Sequence, residues 1–188
     1  FFTRNGTVLE TLPRTKSALA AAPYDDMVLD GEAMGADWNE SASVLMSSKS
    51  KKDDANITYN VFDAMPLADW QAQQTTLNYA ERCSVASRIV NEINTMFGDA
   101  SPVRLVDHVV AKDETELKRY FAQCMDAGYE GVMLKRTDTP YEWDRSRNIL
   151  KLKPCVTYEG VVVGWYEGRR GAKWEGLFGG FYVLLPNH

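Results

Sequence analysis

Residues 149–154, Ile-Leu-Lys-Leu-Lys-Pro, alternate leucine with lysine and then stop at a proline. A period of two is that of a strand with unlike faces, so Leu150 and Leu152 point one way and Lys151 and Lys153 the other. If the leucines enter a core, both ammonium groups face a common cleft, where they repel unless an anion lies between them. A phosphate chain would satisfy both, because each lysine offers a compact charge with several donors. The plainer alternative is an edge strand whose lysines guard it against aggregation.

Two other stretches bear on that choice. "LDGEAMG" (29–35) presents Glu32 at the end of a strand, just past a glycine, and "YEGVMLK" (129–135) repeats the device with Glu130 and Gly131 ahead of an apolar run. Each acid–glycine pair alone is ordinary turn chemistry. Two acids at strand edges followed by paired strand lysines suit a metal–phosphate site: the acids would hold Mg²⁺ or a ribose hydroxyl, and the lysines phosphate oxygens.

The rest of the chain supplies a frame. Asn5-Gly6 predicts a hairpin between two short strand-like pieces. "MVLDGEAMG" reads as a short strand broken by Asp30-Gly31, and residues 46–56 as a solvated, charged loop. "ITYNVFDAMPL" predicts a strand with Tyr59, Val61 and Asp63 on one face and Thr58, Asn60 and Phe62 on the other, ended by Pro66. Helical spacing covers 76–97, with Leu77, Ala80, Ile89, Ile93 and Met96 among its apolar positions, and "VRLVDHVVA" reads as a strand. The clearest helix is 113–127, capped by Asp113 with Glu116 three residues on, stopped by Gly128, and carrying a core stripe of Leu117, Tyr120, Phe121, Cys124 and Met125. Two further strands lie in "EGVVVGWYEG" and "GLFGGFYVLLP", joined by a turn that holds Arg169, Arg170 and Lys173. Antiparallel patterns restart after Pro154, which marks the domain boundary, giving 1–154 and 155–188.

Net charge is −5, so polyanion binding must come from local clusters. Arg145 with Arg147, and Arg169 with Arg170 and Lys173, are two such clusters; each is either a phosphate contact to a duplex or a solvated turn. Three cysteines with no C-x-x-C spacing fit reduced thiols and a cytoplasmic setting, and with two histidines they make zinc improbable. No apolar run reaches the ~20 residues needed to span a bilayer. Because the chain opens on Phe1-Phe2 and ends soon after a strand, it reads as a piece of a longer protein.

Taken in order, "TRNG" (3–6), "LDGEAMG", "YNVFDAMPL" (59–67), "YEGVMLK" and "LKLKP" (150–154) resemble the motifs of ATP-dependent DNA ligases. These belong to the covalent nucleotidyltransferases, and the short insert and compact strands look like the small ligases of bacterial viruses. The resemblance implies an α+β fold: antiparallel sheets with flanking helices around a nucleotide cleft form an adenylation domain over 1–154, followed at 155–188 by the first strands of an OB-fold barrel. It also implies roles. Arg4 would contact the nucleotide, Glu32 the ribose or a metal, and Phe62 would stack on adenine. Glu130 would associate with Mg²⁺, and Lys151 and Lys153 would grip the α-phosphate; Lys135 stays structural or peripheral. The implied reaction is three-step sealing of nicks in duplex DNA with ATP, through enzyme-AMP and DNA-adenylate, by a monomer in a bacterial or phage-infected cytoplasm. The alternatives are an RNA ligase or capping guanylyltransferase, and a non-catalytic nucleotide- or nick-binding module.

The sequence departs from that pattern. The nucleophilic lysine of a K-x-D-G motif is not found; "KKDDA" (51–55) comes nearest but lacks the glycine. The motif that closes the family's barrel domain is missing too, and Ile149 stands where many relatives have Trp. The chain is therefore expected not to adenylate itself.

Overall fold

The computed structural model describes residues 1–3, 5–36, 38–45, 54–155 and 157–186, with residues 38–40 described as backbone only. Arg4 and residues 46–53 of the charged run lie outside the described residues.

The chain opens with the hairpin that Asn5-Gly6 predicts. Phe2 bridges Val8 in antiparallel fashion, and Gly6 takes φ +78°, a left-handed conformation that glycine adopts without a steric penalty. Helix α1 (Pro13–Ala20) follows, a helix the sequence reading missed. Pro13 sits at its first turn, where a missing N–H costs nothing, and the buried Asp54 carboxylate accepts from Arg14 N at 3.1 Å, close to that end. Within the charged run Asp54 is thus a buried capping group, while Ala55 and Asn56 form the exposed turn expected of a solvated loop.

Strand β1 (Met27–Met34) pairs antiparallel with β2 (Thr58–Pro66), and β2 pairs in parallel with β3 (Val103–Leu105). The sheet is therefore mixed where antiparallel pairing was expected, and the strand predicted over 103–111 ends at Leu105. Nor does Asp30-Gly31 break β1. The strand runs on through a register shift in which Asp30 faces Asp63 and Gly31 faces Val61, leaving Phe62 as the extra residue of a bulge. Glu32 consequently stands inside the strand, opposite Asn60, and not at its end.

The short helices α2 (Trp38–Leu45) and α3 (Leu67–Ala72) were also unforeseen. Helix α4 (Tyr79–Phe97) starts three residues later than predicted, where Asn78 and Glu81 exchange the two bonds of a capping box. Its inner stripe, Arg82, Ala86, Ile89, Val90 and Ile93, packs on β2 and β3, and α1 closes the same core with Ala18 and Ala22. Met96 and Ala80, expected on that stripe, are exposed.

The later elements are shallower. Helix α5 (Glu114–Asp126) has the predicted cap, Asp113 Oδ1 accepting from Glu116 N at 2.9 Å, while Glu116 reaches back to Lys112 N rather than to the cap itself. Gly128 at φ +84° and the bonds Gly128 N to Met125 O and Tyr129 N to Cys124 O close it as a Schellman motif. Its apolar stripe is only half-buried, so it is not the core the pattern promised. Strands β4 (Val132–Lys135) and β5 (Ile149–Leu152) form a second, antiparallel sheet. Leu152 is half-buried but Leu150 is 58% exposed, so the leucine face of β5 does not enter a core either. Strands β6 (Val161–Glu167) and β7 (Phe178–Leu184) form the last antiparallel pair, exposed on both faces. Among the described residues no helix is long and apolar enough to cross a membrane.

Candidate functional site

Gly131 decides how Glu130 meets the lysines. At φ +156°, with its Cα so near β5 that a Cβ would run into the Leu152 carbonyl oxygen, the position admits glycine alone. That approach sets Glu130 across from the end of β5. Glu130 Oε2 lies 3.9 Å from Lys151 Nζ and 3.6 Å from Lys153 Nζ. One carboxylate thus serves two ammonium groups on one side of the sheet, as the alternation predicts. These pairs are long and wet, with the Glu130 side chain 83% exposed, so they contribute little stability and are easily exchanged for another anion or cation. Gly131→Ala is expected to cost about 1–3 kcal/mol in chemical denaturation, the usual range for a forced backbone conformation. An unchanged midpoint would contradict the close approach.

Glu32 belongs to the other sheet. It is exposed on β1, and among the described residues no ion pair ties it to Lys151 or Lys153. Of the four groups expected around one pocket, Glu130, Lys151 and Lys153 meet at the second sheet, and Glu32 stands on the first.

Between the sheets lies a buried cluster whose core the sequence reading did not single out. Asp63 Oδ1 accepts from Arg82 Nε at 2.7 Å and Oδ2 from Arg82 Nη2 at 3.4 Å, with the two side chains 2% and 4% exposed. Arg82 Nη1 also donates to the carbonyls of Leu77 (2.7 Å) and Thr139 (3.3 Å). Lys135 Nζ stands 3.7 Å from Asp63 Oδ2, 4.7 Å from the centroid of the Phe62 ring and 4.5 Å from that of Tyr79. Burial pushes the Lys135 ammonium below the ordinary lysine range, against the pull of Asp63 and Asp30. Asp30 accepts from Tyr141 Oη at 2.9 Å, yet its own burial holds its carboxyl above the ordinary range. Of the two places expected for Lys135, structural or peripheral, the structure gives it the first: it is a central member of this cluster. The signal was present in Arg82, a charge on an otherwise apolar helical stripe. Asp63, predicted on the face of Tyr59 and Val61, is carried by the bulge onto the opposite face, that of Asp30, and is buried there. Such charges are buried only when paired.

The bulge brings Phe62 into this group. Strict alternation would put Phe62 and Asp63 on opposite faces, but with Phe62 as the extra residue both meet Lys135. Phe62 remains half-buried.

The basic clusters are exposed. Arg145 and Arg147 lie in the loop between β4 and β5, and Arg169, Arg170 and Lys173 in the β6–β7 turn, where Arg170 pairs with Glu175 at 4.0 Å and Lys173 covers Trp174 at 5.0 Å. Among the described residues no group of three or more His, Cys, Asp or Glu could hold a metal ion. A metal here would fit only as Mg²⁺ often does, on one or two carboxylates completed by phosphate oxygens and water.

The fold is shared with known structures. The structure named Pmar-Lig_PreS3 superposes with a TM-score of 0.75 at 25% identity, over 97% of this chain and 43% of that one. The ATP-dependent DNA ligase from bacteriophage T7, in complex with ATP, does so with a TM-score of 0.68 at 20% identity, over 99% of this chain and 64% of that one. The class of fold is thereby defined: an α+β domain of small sheets with flanking helices. The family model for the ATP dependent DNA ligase domain matches residues 1–153. The DNA ligase of Haloferax volcanii is 32% identical over 194 aligned residues, which take in 94% of this chain and 31% of that one. The chain belongs to the ATP-dependent DNA ligase family. It spans about a third of the length of the curated relatives it matches. Those relatives carry the name DNA ligase.

Proposed function

We propose that this chain holds ATP and the 5′-phosphate of nicked duplex DNA for the adenylyl transfers of a DNA ligase. The observation that carries the reading is the single carboxylate, Glu130, held by Lys151 and Lys153. The Glu130 carboxylate occupies the place an α-phosphate would take between the two ammonium groups. Phosphoryl transfer spreads charge over the equatorial oxygens of the phosphorus, and two positioned cations neutralise it as it develops. With phosphate present, Glu130 would be free to hold Mg²⁺, which would supply further neutralisation of that charge, while Glu32 on the other sheet would contact the ribose or assist in placing the metal. Phe62 stacks on the adenine, and Arg4 contacts the nucleotide. In the first transfer an amine outside these motifs attacks the α-phosphorus and pyrophosphate leaves. AMP then passes to the DNA 5′-phosphate, and a 3′-hydroxyl displaces it. Arg145, Arg147, Arg169, Arg170 and Lys173 position the duplex through its phosphates without reading sequence. Residues 155–188 open an OB-fold domain, and the protein acts as a cytoplasmic monomer.

The last transfer needs no enzyme amine, which makes it the step to test. With Mg²⁺, the chain is expected to seal a nick whose 5′-phosphate already carries AMP. Lys151→Ala and Lys153→Ala should each weaken ATP binding by about 10- to 100-fold, the worth of a charge-assisted contact, and slow that sealing. Titration calorimetry and a gel assay read the two. If both variants bind ATP as the parent does, the lysines are edge protection and the site lies elsewhere.

A further inference from the structure

Lys135 is a costly residue for this fold. Asp63 is already matched by Arg82 through both oxygens, and its Oδ1 also accepts from the Ala64 N–H at 3.0 Å. Asp30 is held by the Tyr141 hydroxyl. Among the described residues Lys135 Nζ makes no hydrogen bond; its surroundings are the 3.7 Å ion pair and the faces of two aromatic rings. With its side chain 14% exposed, the ammonium has surrendered most of its water for these weak contacts. Methionine would fill the same volume without that cost. What the charge adds is attachment: an ammonium on Asp63 draws the face of Phe62 toward a fixed point, and the Tyr79 ring packs against the same ammonium. Phe62 needs such a hold, since a bulge residue lacks a partner directly opposite it in the ladder.

We propose that Lys135 is a positioning residue for base recognition: anchored on Asp63, its ammonium holds one face of the Phe62 ring so that the other is presented to the adenine. The proposal rests on the reading of Phe62 as the stacking residue. It assigns Lys135 to recognition of the base, whereas Lys151 and Lys153 serve the phosphates.

The test separates base from phosphate. ATP and inorganic tripolyphosphate are titrated, each at the same Mg²⁺ concentration, into the 188-residue chain and its Phe62→Ala, Lys135→Met and Lys135→Arg variants. Phe62→Ala and Lys135→Met are each expected to weaken ATP about tenfold, the scale of one stacked base, and to leave tripolyphosphate unchanged. Lys135→Arg, which keeps the cation over the ring, should recover most of the ATP affinity. If Phe62→Ala weakens ATP and Lys135→Met does not, Lys135 has no part in base binding and the proposal falls while the stacking reading stands. If Phe62→Ala leaves ATP untouched, the stacking reading falls and takes the proposal with it. If Lys135→Met loses both ligands, the residue merely holds the site together, and the proposal is overturned.

Discussion

Asp63→Asn is expected to destabilise the chain by about 3–5 kcal/mol, the range for removing one partner from a buried ion pair. The substitution keeps the shape but leaves Arg82, with its side chain 4% exposed, and the half-buried Lys135 without the carboxylate both face. Two uncompensated cations then sit between β2, α4 and the end of β4. Urea denaturation followed by circular dichroism measures the loss; a drop below about 1 kcal/mol would mean that water reaches the cluster and screens it. The neighbouring acid should behave otherwise. Asp30 faces Asp63 in the ladder, but its folded carboxyl lies above the ordinary value because burial disfavours its charge. Between the ordinary value and that raised one, the native state binds more protons than the unfolded chain, so acidification through this window adds stability. At neutral pH Asp30→Asn, which can still accept from Tyr141, should therefore cost far less than Asp63→Asn. Lys135 contributes the opposite slope: the native state holds fewer protons than the unfolded chain between its lowered value and the ordinary one, so stability rises with pH across that window.

Ile93→Ala carries the other large cost, about 2–5 kcal/mol for a cavity in a packed core. Ile93 is fully buried on α4 among Ile89, Val90 and the β2–β3 face. Phe121→Ala, in the half-buried stripe of α5, should cost about 1 kcal/mol despite the larger side chain. Equal losses at the two positions would show that α5 packs as its pattern suggests and not as the structure has it.

That contrast shows what was legible. Local signals read well: the Asn5-Gly6 hairpin, the Asp113 cap, the Gly128 stop, and the β6–β7 pairing all depend on residues near one another in sequence. So did the trio of Glu130, Lys151 and Lys153, because a period of two and a glycine suffice to bring them together. Depth of burial did not read, since periodicity reports which face is apolar and not what covers it. α5 and β5 have apolar faces that stay partly wet, while α4, with a weaker pattern, holds the core. Helices α1, α2 and α3 were missed because each is too short to show more than two turns of periodicity. The Asp63–Arg82–Lys135 cluster was missed for another reason: its members come from three distant stretches, and only their pairing makes any of them tolerable inside.

The supernumerary residue in β2 also limits how this chain can change over time. Dropping one residue between Tyr59 and Asp63 would let the two strands pair evenly with Asp63 still opposite Asp30, but Phe62, if it were not the residue lost, would take the place opposite Gly31 and turn to the other face. Lys135 would then keep its carboxylate and lose its ring. A lineage can therefore exchange residues in this stretch one for another, but it cannot shed one; here the spacing is inherited as strictly as any side chain.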